Sequence, residues 1–292
     1  MQALVFYLLL PFIYLISWLP FRLMYLFSDF LFIIIYYIVG YRKKVVDKNL
    51  RIAFPEKSDK EILQIRKKYY SFLCDLMLET LKMLTISKKQ MMKHIYFSDM
   101  KSLDDLYQKK QSFVFLLGHN GNWEWASAAV ELHSAFHLLV IYKPLSSKYF
   151  DPLFHKMRTR FGQEVTPMKN TLRDMIRLKD QLTATAFVSD QRPDARIAYW
   201  TTFFGEETGF FQGTEKLTKK FKYPIVYISI KRPKRGYYEI VPEILVENPH
   251  EKEDSEITEA FVRRLEKQIR DEPELWLWSH DRWRDKKPES IK

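Results

Sequence analysis

Apolar residues fill the first 40 positions in two runs, 3–19 and 23–40, parted by Pro20-Phe21-Arg22, with Arg22 and Asp29 the sole charged side chains. As a helix the second run is about 27 Å long, close to the hydrocarbon thickness of a bilayer. The pattern predicts a membrane helix or helical hairpin over residues 1–40. A buried hairpin of a soluble protein is the blander alternative. With no basic leader and no small-residue cleavage site, the segment does not read as a secretory signal and is expected to stay on the mature protein.

From residue 41 the period changes. Ser58-Asp59-Lys60-Glu61 has the form of a capping box, and Ile62, Ile65, Tyr69, Phe72, Leu73 and Leu76 follow at helical spacing, predicting a long amphipathic helix over 59–84. Short apolar runs at 113–117, 137–142, 183–189 and 224–230, with looser alternation at 237–246, read as strands. Helical stretches are expected at 123–133, 148–161, 171–180 and 255–271. Strands alternating with helices predict an α/β fold: a mostly parallel central sheet covered by helices on both faces. No repeat, low-complexity tract or Gly/Ser linker divides residues 41–292, which are expected to form one domain.

Charge sharpens this picture. The net +11 belongs entirely to the part of the chain after residue 40, and Arg42, Lys43, Lys44, Lys48 and Arg51 follow the apolar segment at once. Basic residues flanking a span prefer the cytoplasmic side, so the body is expected in the cytoplasm against the inner leaflet. Charge of this size also suits generic solubility or nucleic-acid affinity. The lone Cys74 excludes a disulfide framework and any cysteine-based metal cluster.

Ligands of open α/β sheets gather beyond the carboxyl ends of strands. Gly118-His119-Asn120-Gly121-Asn122-Trp123-Glu124 stands at such an end. Seven histidines in a chain with 36 acidic residues among 292 give roughly one acid at this spacing by chance, and His94/Asp99 and His280/Asp285 share it. His94 lacks a preceding strand and His280 lies among tryptophans, so His119 is preferred. It is expected to act as a general base, with Glu124 fixing its tautomer. The alternative makes Glu124 a favourable anion at a helix N-terminus. No Gly-x-Ser-x-Gly elbow, P-loop, His-Glu-x-x-His or Gly-x-Gly-x-x-Gly occurs, so serine-hydrolase, nucleotide and zinc chemistry find no motif, and neither metal nor cofactor is expected.

The 118–124 block resembles the His-x4-Asp/Glu element of the glycerolipid acyltransferase superfamily, and the chain around it is similar to the late lipid A acyltransferases, the lauroyl/myristoyl type. Asn49-Leu50-Arg51-Ile52-Ala53-Phe54-Pro55-Glu56, Tyr142-Lys143-Pro144-Leu145, Ser189-Asp190-Gln191, Phe203-Phe204-Gly205 and the closing Pro273-Glu274-Leu275-Trp276-Leu277-Trp278-Ser279-His280-Asp281-Arg282-Trp283-Arg284 carry the likeness in order. A Pro-Glu-Gly block typical of the glycerolipid enzymes is missing.

The resemblance implies transfer of an acyl chain from an acyl carrier protein thioester to a hydroxyl of a lipid A precursor at the cytoplasmic face of a Gram-negative inner membrane. Its expected partners are the carrier protein, the precursor and inner-membrane phospholipids, with no nucleic acid. It implies a catalytic-site role for Asp190. Backbone donors around Gly121 and Asn122, and a cation chosen from Arg173, Lys143, Arg158 and Arg160, are expected to hold the oxyanion or a phosphate, Arg173 first. An acyltransferase acting on another membrane lipid and a non-catalytic membrane-anchored binding module are the competing readings.

Overall fold

A computed structural model describes residues 2–289; Met1 and residues 290–292, the outer ends of the two expected segments, lie outside the described residues. In chain order the elements are α1 (Gln2–Trp18), α2 (Phe21–Phe32, continued by a π-helical turn Ile33–Val39), α3 (Lys43–Ala53), α4 (Asp59–Lys82), α5 (Lys88–His94), β1 (Ile95–Phe97), α6 (Lys101–Gln108) and β2 (Phe113–Leu117). There follow α7 (Trp123–His133), β3 (His137–Tyr142), α8 (Phe150–Thr159), β4 (Glu164–Pro167), α9 (Thr171–Arg177), β5 (Thr183–Val188), β6 (Tyr199–Phe203) and β7 (Glu206–Phe210). The last are α10 (Gly213–Phe221), β8 (Ile225–Lys234), β9 (Tyr237–Val246) and α11 (Glu256–Asp271).

The α/β architecture expected from the sequence is present. Seven strands form one sheet in the order β1-β9-β8-β2-β5-β3-β4, and every pair except β8 with β9 is parallel. The two central strands, β2 and β5, run side by side in a register that sets Leu117 against Val188. The residues following each strand, 118–119 and 189–190, are thereby delivered to one point at the sheet's carboxyl edge.

Alternation along the strands sorts the core into two layers. Phe113, Phe115, Leu117, Leu138, Ala184 and Ala186 pack under α5, α6, α7 and α8. Val114, Leu116, Leu139, Phe187 and Tyr227 face α3, α11 and the C-terminal tryptophans. The expected helix at 59–84 is α4; its capping box is in place, with Ser58 Oγ accepting the Glu61 N–H and Glu61 accepting the Ser58 N–H at 2.9 Å. The β6–β7 hairpin stands apart from the main sheet. A Cβ at Gly209 in this hairpin would come within 2.6 Å of Ala198 Cβ, so the close approach there requires glycine.

Both N-terminal helices pack on α4. Lys82 Nζ donates to the Ser17 and Leu19 carbonyls at 2.8 and 2.7 Å, occupying acceptors that the end of α1 leaves open. Phe21–Val39 is 19 residues long and, by length and composition, apolar enough to cross a membrane.

Candidate active site

The turn after β2 is shaped by its glycines. Gly121 adopts φ +64°, and a Cβ there would come within 2.6 Å of Ile230, so the turn that presents His119 requires glycine at this point. Its backbone donors are all spent within the protein. The His119 N–H donates to Asp190 Oδ2 at 2.9 Å, the Asn120 N–H to the Gly118 carbonyl at 2.8 Å, and the Gly121 N–H to the Leu275 carbonyl at 3.0 Å.

The carboxylate that orients His119 is Asp190, not Glu124. His119 Nδ1 lies 2.5 Å from Asp190 Oδ1, and the Trp276 indole N–H donates to Asp190 Oδ2 at 2.7 Å. Asp190 is 2 % exposed. Burial works to raise its carboxyl, but the facing His119 charge and the hydrogen bonds from His119 and Trp276 prevail and hold it at about 2. With Nδ1–H given to Asp190, the imidazole turns Nε2 outward, where the Gln191 side-chain amide sits 3.3 Å away. His119 also meets the edge of Trp123, ring centroids 5.0 Å apart.

Glu124 stands in the first turn of α7 with both carboxylate oxygens engaged by Arg158, Nε to Oε2 at 2.8 Å and Nη2 to Oε1. Such a forked pair fixes both planes and leaves Glu124 no oxygen aimed at His119. The spacing of five misleads because a residue in the first turn of a helix projects to the helix's own flank, here toward α8.

His119, Trp123, Glu124 and Arg158 line a cavity of about 720 Å³ at the carboxyl edge of the sheet. Its walls include Phe115, Ala126, Val130, Leu138 and Ala186, which belong to the core layer under α7, together with Ser189, Thr214, Leu217, Lys143 and Arg192.

The other expected binding residues are placed elsewhere. Arg173 is largely exposed and paired with its neighbour Asp174 at 3.3 Å, off the cavity wall. Arg160 donates to the Met83 and Ile86 carbonyls at the end of α4. Asn122 is a buried helix cap: its Oδ1 accepts the Trp125 N–H at 2.9 Å, while its Nδ2 donates to Glu79. Neither Asn122 nor Gly121 lines the cavity. Among the described residues no group of three or more His, Cys, Asp or Glu is placed to hold a metal.

The tryptophan-rich close of the chain forms the back wall of the site. The Leu277 N–H donates to the His119 carbonyl at 3.0 Å, and Trp276 bridges to Asn120. His280 Nε2 accepts the Arg192 N–H at 3.2 Å and so holds the loop carrying Gln191; burial pushes this imidazole down to about 4. Arg282 is fully buried and donates to Thr208 Oγ1 and the Gly209 carbonyl, both at 2.7 Å, pinning the β6–β7 hairpin beneath the tryptophans. Gln191 and His280 were not singled out as site residues from the sequence. The signal for Gln191 was its place beside Asp190 at a strand end; His280 offered only a tryptophan-rich setting.

A family model described as bacterial lipid A biosynthesis acyltransferase matches residues 1–285. The chain is also 20 % identical over 269 residues to a lipid A biosynthesis acyltransferase of Haemophilus influenzae (strain ATCC 51907 / DSM 11121 / KW20 / Rd), an alignment covering 91 % of this chain and 83 % of that one.

Proposed function

The chain belongs to the bacterial lipid A biosynthesis acyltransferase family, and on that footing we propose that it moves a fatty acyl chain from an acyl carrier protein thioester to a hydroxyl of a lipid A precursor, with His119 as general base. The observation that carries this reading is the His119–Asp190 pair, with His119 lining a cavity whose walls include a run of apolar side chains.

The acceptor hydroxyl approaches His119 Nε2 beside the Gln191 amide and gives it its proton as its oxygen attacks the thioester carbonyl. Asp190 compensates the imidazolium that forms. The carbonyl electrons move onto oxygen, and donors must meet that charge where it develops. With the amides of His119, Asn120 and Gly121 committed elsewhere, the Gln191 side-chain N–H is the donor nearest the base. Collapse of the tetrahedral intermediate breaks the carbon–sulfur bond, and the imidazolium returns its proton to the departing thiolate. Acyl group and proton are thereby accounted for without an acyl-enzyme.

The apolar wall under α7 suits the hydrocarbon chain. Lys143 and Arg192, which line the cavity with the Glu124–Arg158 pair, suit the anionic precursor and the acidic carrier, toward which a +11 body is also steered. Residues 1–40 anchor the enzyme at the cytoplasmic face of the inner membrane, and residues 41–292 carry the chemistry.

The test is mass spectrometry of the detergent-purified protein with a tetra-acylated lipid A precursor and a panel of carrier-protein thioesters. A gain of one acyl mass, lost in His119→Ala, supports the reading. No gain with any thioester rejects this donor and acceptor pair.

A further inference from the structure

We infer that the two N-terminal helices do not cross the bilayer but lie in one leaflet, their outer faces in lipid and their inner faces on the body, so that the cavity opens at that same membrane surface. The inference rests on the membrane location proposed above and fixes its geometry.

The length of Phe21–Val39 permits a crossing; its contacts oppose one. Tyr25 Oη donates to Glu79 at 2.8 Å, Ser28 Oγ to Asp75 at 2.6 Å, and Asp29 pairs with Arg235 at 2.7 Å. Further along, the Tyr36 hydroxyl accepts from Arg66 Nε at 3.3 Å, and its ring packs on Tyr70. From Tyr25 to Tyr36 the helix rises about 17 Å. Over all that distance one side of it is joined to α4 and to the β8–β9 turn by charged partners. Asp75 is itself bonded to both Arg232 and Arg235. A helix standing across the bilayer would carry Asp75, Glu79, Arg232 and Arg235 to hydrocarbon depth, where ionised groups are strongly disfavoured.

The first helix is held the same way. Lys82 and Thr85 bind the carbonyls at its end, Tyr14 Oη accepts from Lys156, and Phe6 packs on Tyr149 and Phe150. The outward sides are a different surface. Sixteen of the 27 exposed large apolar side chains among the described residues fall between Leu4 and Tyr41, Phe12, Leu15, Leu26 and Ile38 among them. Arg22, Arg42, Lys43 and Lys44 lie at the ends of this face, placing positive charge where anionic headgroups would be. That complementarity selects a lipid surface as the occupant.

The face leads to the cavity. Tyr149, stacked on Phe6, closes the loop whose Lys143 and Leu145 line the cavity, and Leu145, Met168 and Ile197, which all line it, are exposed. A lipid acceptor therefore reaches His119 from the leaflet without passing through water.

Depth measurement tests this. Single cysteines at Leu23, Phe30 and Ile38, all exposed, are labelled with a fluorophore; Cys74 is buried and its thiol pushed up to about 12, so it stays silent. The full-length protein is reconstituted in phosphatidylethanolamine/phosphatidylglycerol vesicles carrying a quencher at acyl carbon 5 or 12. The expected result is stronger quenching from carbon 5 at all three sites. Stronger quenching from carbon 12 at Phe30 alone, with shallow ends, means a spanning helix and overturns the inference. No quenching from either depth, with a dimer in sedimentation, also overturns it and assigns the face to a second copy. Phe12→Glu with Leu26→Glu is expected to weaken vesicle binding at least tenfold while acyl transfer in detergent persists, so this inference and the proposed function fail separately.

Discussion

Two buried carboxylates, Asp190 and Glu79, are shifted in opposite directions on nearly the same inventory of partners. Asp190 accepts three hydrogen bonds, two from His119 and one from Trp276. Glu79 also accepts three with its carboxylate oxygens, from Tyr25, Asn122 and Tyr238. Both are buried, yet Asp190 is held at about 2 while Glu79 is driven above its ordinary value. The difference lies in the neighbours' charge. Asp190 faces an imidazole that becomes cationic; the donors on Glu79 are neutral, and burial together with nearby Asp75 outweighs Arg232. A carboxylate kept ionised is equipped to hold an imidazolium. One whose ionisation is disfavoured by burial serves as a joint, here tying α2 to the cap of the helix that follows the His119 turn.

Replacing each acid by its amide tests the contrast directly. Asp190→Asn and His119→Ala are each expected to lower turnover by about 10²–10⁴-fold with the fold retained, read as kcat in the mass-spectrometric assay. Glu79→Gln is expected to leave turnover within about threefold. Equal losses from the two amide variants would erase the distinction. Gln191→Ala comes next, costing about 10²-fold in kcat with little change in KM; a loss confined to KM would make Gln191 a binding group.

His280 extends the comparison to stability. Its folded pKa of about 4 lies below the ordinary histidine value, so between about pH 6.5 and 4 the unfolded chain takes up a proton that the folded one refuses. Stability should fall as pH drops through that window, by about 2 kcal/mol after allowing for partial exposure. His280→Gln, which keeps an acceptor for the Arg192 N–H, should flatten that part of the curve in urea unfolding. The smallest effect is expected from Glu79→Gln on stability at neutral pH, within about 1 kcal/mol, because the amide keeps the shape and a carbonyl acceptor without placing a charge in a buried site.

The sequence was most legible where structure is local. The capping box at Ser58, the long helix α4, and the strands around 113–117 and 183–188 follow from period and composition alone. Short β1 and β4 and the β6–β7 hairpin escaped, since three to five residues give too little period to distinguish strand from loop. His119 and Asp190 were both marked by standing at strand ends. Their pairing was not legible: 71 residues separate them, and only the adjacency of β2 and β5 brings them together. Glu124, close in sequence, took the orienting role by proximity and is instead the partner of Arg158. For the arginines composition was mute, since Arg158 and Arg160 are two residues apart and one lines the cavity while the other caps α4.

The Gly121 and Leu277 amides are bonded across the seam between the His119 turn and the tryptophan-rich segment. Neither has a local partner to fall back on, so exposing them to solvent requires parting segments more than 150 residues apart along the chain. In deuterated water these two protons should be among the last to exchange, on the timescale of global unfolding, which makes the geometry of the base as durable as the fold itself.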